Sequence, residues 1–124
     1  MLKYKLIERR NPGDPSAPQK KYATHVKKGT KSVAAISKDI ADISSLSRGD
    51  IQNTLMNLVD QIPKYLLDGN SVSLGELGTL RISFSSEGVD TEEEFNVSKI
   101  KGLKVLFTPG KLIKEEIVKA KFEK

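Results

Sequence analysis

Leu74-Gly75-Glu76-Leu77-Gly78-Thr79-Leu80 and Phe107-Thr108-Pro109-Gly110-Lys111-Leu112 are the two stretches on which the fold of this chain turns. The first reads as strand, tight reversal, strand. Val72 to Leu74 begins extended, the two glycines permit a turn, and Leu80, Ile82 and Phe84 then alternate with Arg81 and Ser83, the period of a half-buried strand. The second reads as the end of a strand and the start of a helix. Leu103, Val105 and Phe107 alternate inward; Thr108 is placed to cap a helix with Pro109 at its first position. That helix sets Leu112, Ile113, Ile117 and Val118 inward, and Lys114, Lys119 and Lys121 outward.

Upstream of the first stretch the period changes to that of helices. Val33, Ile36, Ile40 and Ile43 recur at spacings of three and four, and Ser44-Ser45-Leu46 breaks the pattern. Ser47 then reads as an N-cap with Asp50 three residues on. Ile51, Leu55, Leu58, Ile62 and Leu66 form one apolar stripe, widened by Met56, Val59 and Tyr65, as in a helix buried against a partner subunit. Pro63 interrupts the hydrogen bonding within that helix and predicts a kink; Asp68-Gly69-Asn70 ends it. At the amino terminus, residues 3–10 and 20–27 read as two strands separated by the turn-forming run Asn11-Pro12-Gly13-Asp14-Pro15-Ser16-Ala17-Pro18. A disordered basic arm is the alternative for this part of the chain.

The 124 residues fit one domain of modest core, with a hydrophobic fraction of 37% and no run long enough to cross a membrane. No signal peptide is legible at the start, and the absence of cysteine excludes disulfides and thiolate metal sites, so the expected compartment is the cytoplasm. The net charge of +5 is unevenly spread. Residues 1–31 carry nine Lys/Arg against Glu8 and Asp14, and residues 99–124 carry eight Lys against three Glu. Between them, residues 87–98 hold five acids and no base. Two basic ends around an acidic middle place the electrostatic surface at the termini.

The order helix, helix, three strands, helix from residue 32 onward, with a Leu77-Gly78-Thr79-Leu80 hairpin and a Phe107-x-Pro109-Gly110-Lys111 turn, resembles the bacterial HU/IHF family of histone-like DNA-binding proteins. Leucines stand where that family's hairpin usually has phenylalanines, and Glu76 takes the place of its first glycine. The Tyr4…Asn11-Pro12-Gly13-Asp14-Pro15 start and the Ser85-Ser86-Glu87-Gly88-Val89 segment are similar to a divergent branch with an amino-terminal extension, the HU-HIG type. The resemblance implies an α+β fold: two amino-terminal helices, a three-stranded antiparallel sheet with a modified arm, and a carboxy-terminal helix. Ahead of these stands an extra two-stranded β element. Residues 1–31 are then a basic ribbon packed on an HU-like DNA-binding domain of residues 32–124. It also implies a homodimer acting in the nucleoid.

In HU proteins, the resemblance further implies, paired basic arms wrap the minor groove and an apolar wedge at each tip kinks the duplex. Here no arginine and no proline lies between Phe84 and Phe107, and Thr91-Glu92-Glu93-Glu94 is a capping-box pattern that predicts a short helical turn. Arm-mediated bending is therefore not expected. The remaining candidates for duplex DNA are phosphate contacts: Gly110, Lys111 and Lys114 at the last helix; Arg81, Lys99, Lys101 and Lys104 on the strands; and Lys3, Lys5, Arg9, Arg10, Lys20, Lys21, Lys27 and Lys28 in the extension. Free backbone N–H groups over residues 108–111, beside Lys111, would form an anion site of phosphate size.

No recognition helix lined by Arg or Asn is present, so little sequence specificity is expected. His25 is the sole histidine, and no nucleophile–base pair can be named, so no enzyme, cofactor or small-molecule substrate is expected. Glu92-Glu93-Glu94 offers carboxylates without a defined cage, and no metal is expected there. The reading is an architectural, largely sequence-nonspecific DNA-binding homodimer. The alternative is an HU-like scaffold that has lost DNA binding and serves as a protein-interaction module.

Overall fold

The structure, a computed structural model, describes residues 1–124. Its elements run β1 (Leu2–Arg9), β2 (Lys20–His25), α1 (Val33–Asp42), α2 (Arg48–Leu67), β3 (Val72–Ser73), β4 (Gly78–Ser86), β5 (Ile100–Pro109), α3 (Lys111–Ile117) and β6 (Phe122–Glu123). They form two three-stranded sheets, β3-β4-β5 and β2-β1-β6, with α1 packed on α2.

The helices begin and end where their local chemistry dictates. Ser32 Oγ accepts the Ala35 N–H at the head of α1, and Ser47 Oγ accepts the Asp50 N–H at the head of α2. Pro63 stays within α2, which continues to Leu67. There Gly69, at φ 94°, lets its own N–H reach Leu66 O and the Asn70 N–H reach Tyr65 O, satisfying the last carbonyls. Ser37 is fully buried on α1, and its Oγ has no hydrogen-bond partner.

Three sequence expectations are corrected. The amino-terminal β element is three-stranded, not two-stranded: β6 pairs parallel with β1, Leu2 opposite Phe122 and Lys3 opposite Glu123, and ties the ribbon to the chain leaving α3. Thr108 and Pro109 do not start the last helix. They close the β4–β5 ladder opposite Thr79 and Gly78, and Gly110 is the N-cap. The cause is that the ladder remains in register to the glycine, and proline is tolerated at a strand's end. The last helix also stops at Ile117, so Lys119 and Lys121 lie in the turn leading to β6 rather than on a helical face.

The two stretches quoted first meet in space. The Gly110 N–H donates to Leu77 O (3.0 Å), and the Leu74 N–H donates to Gly78 O (2.8 Å). A Cβ on Gly110 would overlap the Glu76 carbonyl; one on Gly78, at φ 145°, would overlap the Thr108 carbonyl and the Phe107 ring. These glycines therefore serve a backbone joint between β4 and α3.

Little of the chain is enclosed. Of the large apolar side chains only Ile51 and Leu66 are buried. Phe84, Leu103, Val105 and Phe107 share one face of the β4–β5 ribbon with Leu80 and Ile82, and those four side chains are exposed. Met56, Val59 and Tyr65 on α2 are exposed as well. The accessible surface is 10,542 Å2, whereas a compact monomer of this mass has about 6,600 Å2.

Candidate nucleic-acid interface

The cationic candidates fall into three places: the β4–β5 ribbon, the head of α3, and the β1–β2 ribbon with the segment after it. On the first, strand parity would put Arg81 and Lys104 on the face opposite the apolar one, but would send Lys101, three residues from Lys104, to the other side. The register shows why it does not. Ser83 faces Lys104 and Ser85 faces Lys101, with a bulge between them in which Gly102 adopts φ 65°. The extra residue restores the face, so Arg81, Lys104, Lys101 and Lys99 form one polar stripe. It continues to the Glu87 N–H, which donates to Lys99 O (2.9 Å).

The outer half of that stripe is partly offset from within. Glu87 pairs with Lys99 at 3.6 Å and with Lys101, all three side chains being partly solvent-exposed. Beyond it, Glu92–Glu94 form a single helical turn, in line with the sequence expectation, although Thr91 makes no side-chain cap. Asp90 and Glu92–Glu94 engage no cation, so the end of this ribbon is acidic. Arg81 and Lys104 pair with no carboxylate.

At α3 the free N–H groups are fewer than the sequence implied. Pro109 has none, Thr108 belongs to the ladder, and the Gly110 N–H is held by Leu77 O. The free donors begin at Lys111, on a helix of seven residues. Lys111 pairs with Glu115 at 3.7 Å across one helical turn, a contact of small energy at this exposure. Lys114 engages no carboxylate.

The β1–β2 ribbon has two unlike faces. Lys3, Lys5, Ile7 and Arg9 alternate onto one, joined from β2 by Lys20, Tyr22 and Thr24; Leu2, Tyr4, Leu6 and Ala23 take the other. Arg9 stands directly opposite Lys20, and neither engages a carboxylate. On the opposite face Glu8 stands across from Lys21, an ordinary opposite-charge pair. Lys27 and Lys28 are exposed in the segment leaving β2 and join neither face. His25 pairs with Tyr4 at the far end of the ribbon, with no nucleophile in hydrogen-bond contact. Sequence parity separated Lys3 and Lys5 from the apolar face. It did not single out Glu87, Gly102 or Tyr22, because their roles depend on register.

No helix is long and apolar enough to cross a membrane, and no three His, Asp or Glu side chains are grouped to hold a metal ion. No curated protein matches the chain. Among solved structures, it is similar to a chain of Bacteroides vulgatus ATCC 8482 described as a "putative bacterial DNA binding protein", with 19% identity and a TM-score of 0.66. That likeness covers 98% of this chain and 47% of the other, so this chain spans about half the length of the one it resembles. The family model described as "HU domain fused to wHTH, Ig, or Glycine-rich motif" matches residues 1–124, and the chain therefore belongs to the HU-HIG family.

Proposed function

We propose that this protein binds duplex DNA through its phosphates, with little regard to sequence, as a homodimer in an architectural role. The observation that carries the reading is the uncompensated cationic face of the β1–β2 ribbon, where Lys3, Lys5, Arg9 and Lys20 align without a carboxylate partner. Arg81 and Lys104 supply a second, smaller set. Residues 1–31 then act as an extension rooted on the HU-like domain of residues 32–124, adding the phosphate surface that the acidic arm does not provide. Membership of a family named for its HU domain supports DNA as the partner. So does the description of the Bacteroides chain.

The homodimer is supported by the open apolar faces. An excess surface of about 4,000 Å2 over a compact monomer exceeds what one side of an obligate homodimer interface ordinarily buries. The apolar β4–β5 face and the outer stripe of α2 are what a second copy would cover. Light scattering should give twice the 13.7 kDa of one chain at micromolar concentration.

Binding should be measured to linear, nicked and four-way-junction DNA across a salt series. With Z phosphates contacted, the logarithm of affinity falls against the logarithm of salt with a slope of about −0.9Z. Absence of binding at low salt would overturn the reading. It would leave the protein-interaction module, which is favoured by one observation: four acids at the end of the arm, Asp90 and Glu92–Glu94, that engage no cation of their own chain.

A further inference from the structure

We propose that the free end of the β1–β2 hairpin is a nucleotide site, taking the phosphate and the base of an unpaired nucleotide in DNA. It depends on the duplex reading above only for the source of the nucleotide. A cavity of about 550 Å3 opens there, within the range of roughly 300–1,000 Å3 typical of small-ligand sites. Its walls include Arg9, Arg10, Lys20 and Tyr22, with Pro12 and Pro18 from the connecting turn.

The cations are arranged as if for an anion. Arg9 and Lys20 are direct cross-strand partners, and like charges so placed destabilise a ribbon unless something negative lies between them. Arg10 is held from behind. With the Gln19 amide oriented to satisfy both neighbours, its Nε2 donates to Glu8 Oε2 (2.9 Å) and its Oε1 accepts from Arg10 Nε (3.0 Å). The terminal guanidinium nitrogens of Arg10 engage no carboxylate, and a guanidinium presents them as a fork that matches phosphate oxygens.

Phosphate alone does not account for Tyr22. Its side chain lies on the same face as Arg9 and Lys20, lines the cavity and remains 47% exposed. In an intact duplex the base faces are stacked inside and beyond reach of such a ring. An aromatic beside a cationic cluster and an apolar proline wall is useful where a base is free to stack. A single-stranded end, a gap or an extruded nucleotide supplies both parts.

The test uses the full chain and two fluorescent probes, oligothymidylate of six nucleotides and a blunt duplex, read by anisotropy. Tyr22→Leu should weaken oligothymidylate binding about tenfold, the scale of one lost stacking contact, and leave blunt-duplex affinity unchanged. Tyr22→Phe should stay within twofold of the parent. Arg9→Gln with Lys20→Gln should abolish the oligothymidylate interaction, giving a second variant that keeps the Ile7–Tyr22 cross-strand pair should Tyr22→Leu unfold the ribbon. Tyr22-dependent oligothymidylate binding without any duplex binding would sustain the site while sinking the duplex reading. Duplex binding with oligothymidylate affinity indifferent to Tyr22, or lowered equally with that for duplex, would overturn the site alone. No binding of either probe overturns both.

Discussion

The chain contains two β-ribbons of similar build and opposite ends. Each gathers most of its cations on one face, β1–β2 with Lys3, Lys5, Arg9 and Lys20, β4–β5 with Arg81, Lys104 and Lys101, and Lys99 just before β5. The first finishes in Arg10, Asn11 and Pro12 beside Lys20; the second finishes in Glu87, Asp90 and Glu92–Glu94. At one end cations are left uncompensated, and at the other two lysines share one carboxylate of the same ribbon. The difference teaches that a fold and the surface it presents are set by separate residues. The glycine joint at Gly78 and Gly110 roots the arm whatever its charge. The charge of the arm's outer third decides whether a polyanion can approach it.

The sharpest way to break this comparison is at the root. Gly78→Ala places a Cβ at φ 145° against the Thr108 carbonyl and the Phe107 ring. It should cost about 3 kcal/mol or more, a factor above about 100 in the folding equilibrium, measured by urea unfolding. Hydrogen exchange in the same variant should rise along Gly78–Ser86 and Ile100–Pro109 before it rises along Leu2–Arg9. A neutral substitution would show that the joint does not root the arm.

Next in size is the cationic face of the first ribbon. Lys3→Gln with Lys5→Gln, both remote from the hairpin end, should reduce duplex affinity about 50-fold at 0.1 M salt. The salt slope should become shallower by about 1.8, the loss of two phosphate contacts. An unchanged slope would move the contacts elsewhere. The mirror experiment on the second ribbon carries the opposite sign. Glu87→Gln releases Lys99 and Lys101 and should raise duplex affinity about fivefold at 0.1 M salt, with a steeper slope. If affinity does not rise, the remaining acids at the arm's end still dominate its field, and the contrast between the ribbons is sharper than Glu87 alone accounts for.

Much of this was legible in the sequence. The helix periods, the caps at Ser47 and Gly69, and the alternation of β1 and β4 are local patterns, and local patterns survive into the structure. What was not legible depends on distant pairing. β6 is two residues long, too short to show a period, and exists because Leu2 and Lys3 offer it an edge. The helix start shifted from Thr108 to Gly110 because the ladder opposite Gly78 and Thr79 competes with the cap for the same residues. At the candidate interface, the lysines could be named one by one. Their alignment required the bulge at Gly102, and the pairing of Lys99 and Lys101 with Glu87 followed from that register.

The smallest expected effect concerns the turn that walls the hairpin-end cavity. Asp14, an exposed residue, accepts through Oδ1 from Ser16 Oγ (2.7 Å) and from the Ser16 N–H (3.2 Å). The Ser16 hydroxyl first, then the Ser16 and Ala17 backbone N–H groups, favour the carboxylate and hold its pKa below the ordinary aspartate value. A depressed pKa adds stability above the unfolded value and loses it as pH falls through the folded one. The turn should therefore be unchanged through the neutral range and loosen only under acid conditions, below the usual aspartate range. The Ser16 amide resonance followed against pH should report that step, and Asp14→Asn should abolish it while leaving β1–β2 pairing intact. A shift of the same resonance near neutrality would show that Asp14 does not set the turn's response to pH.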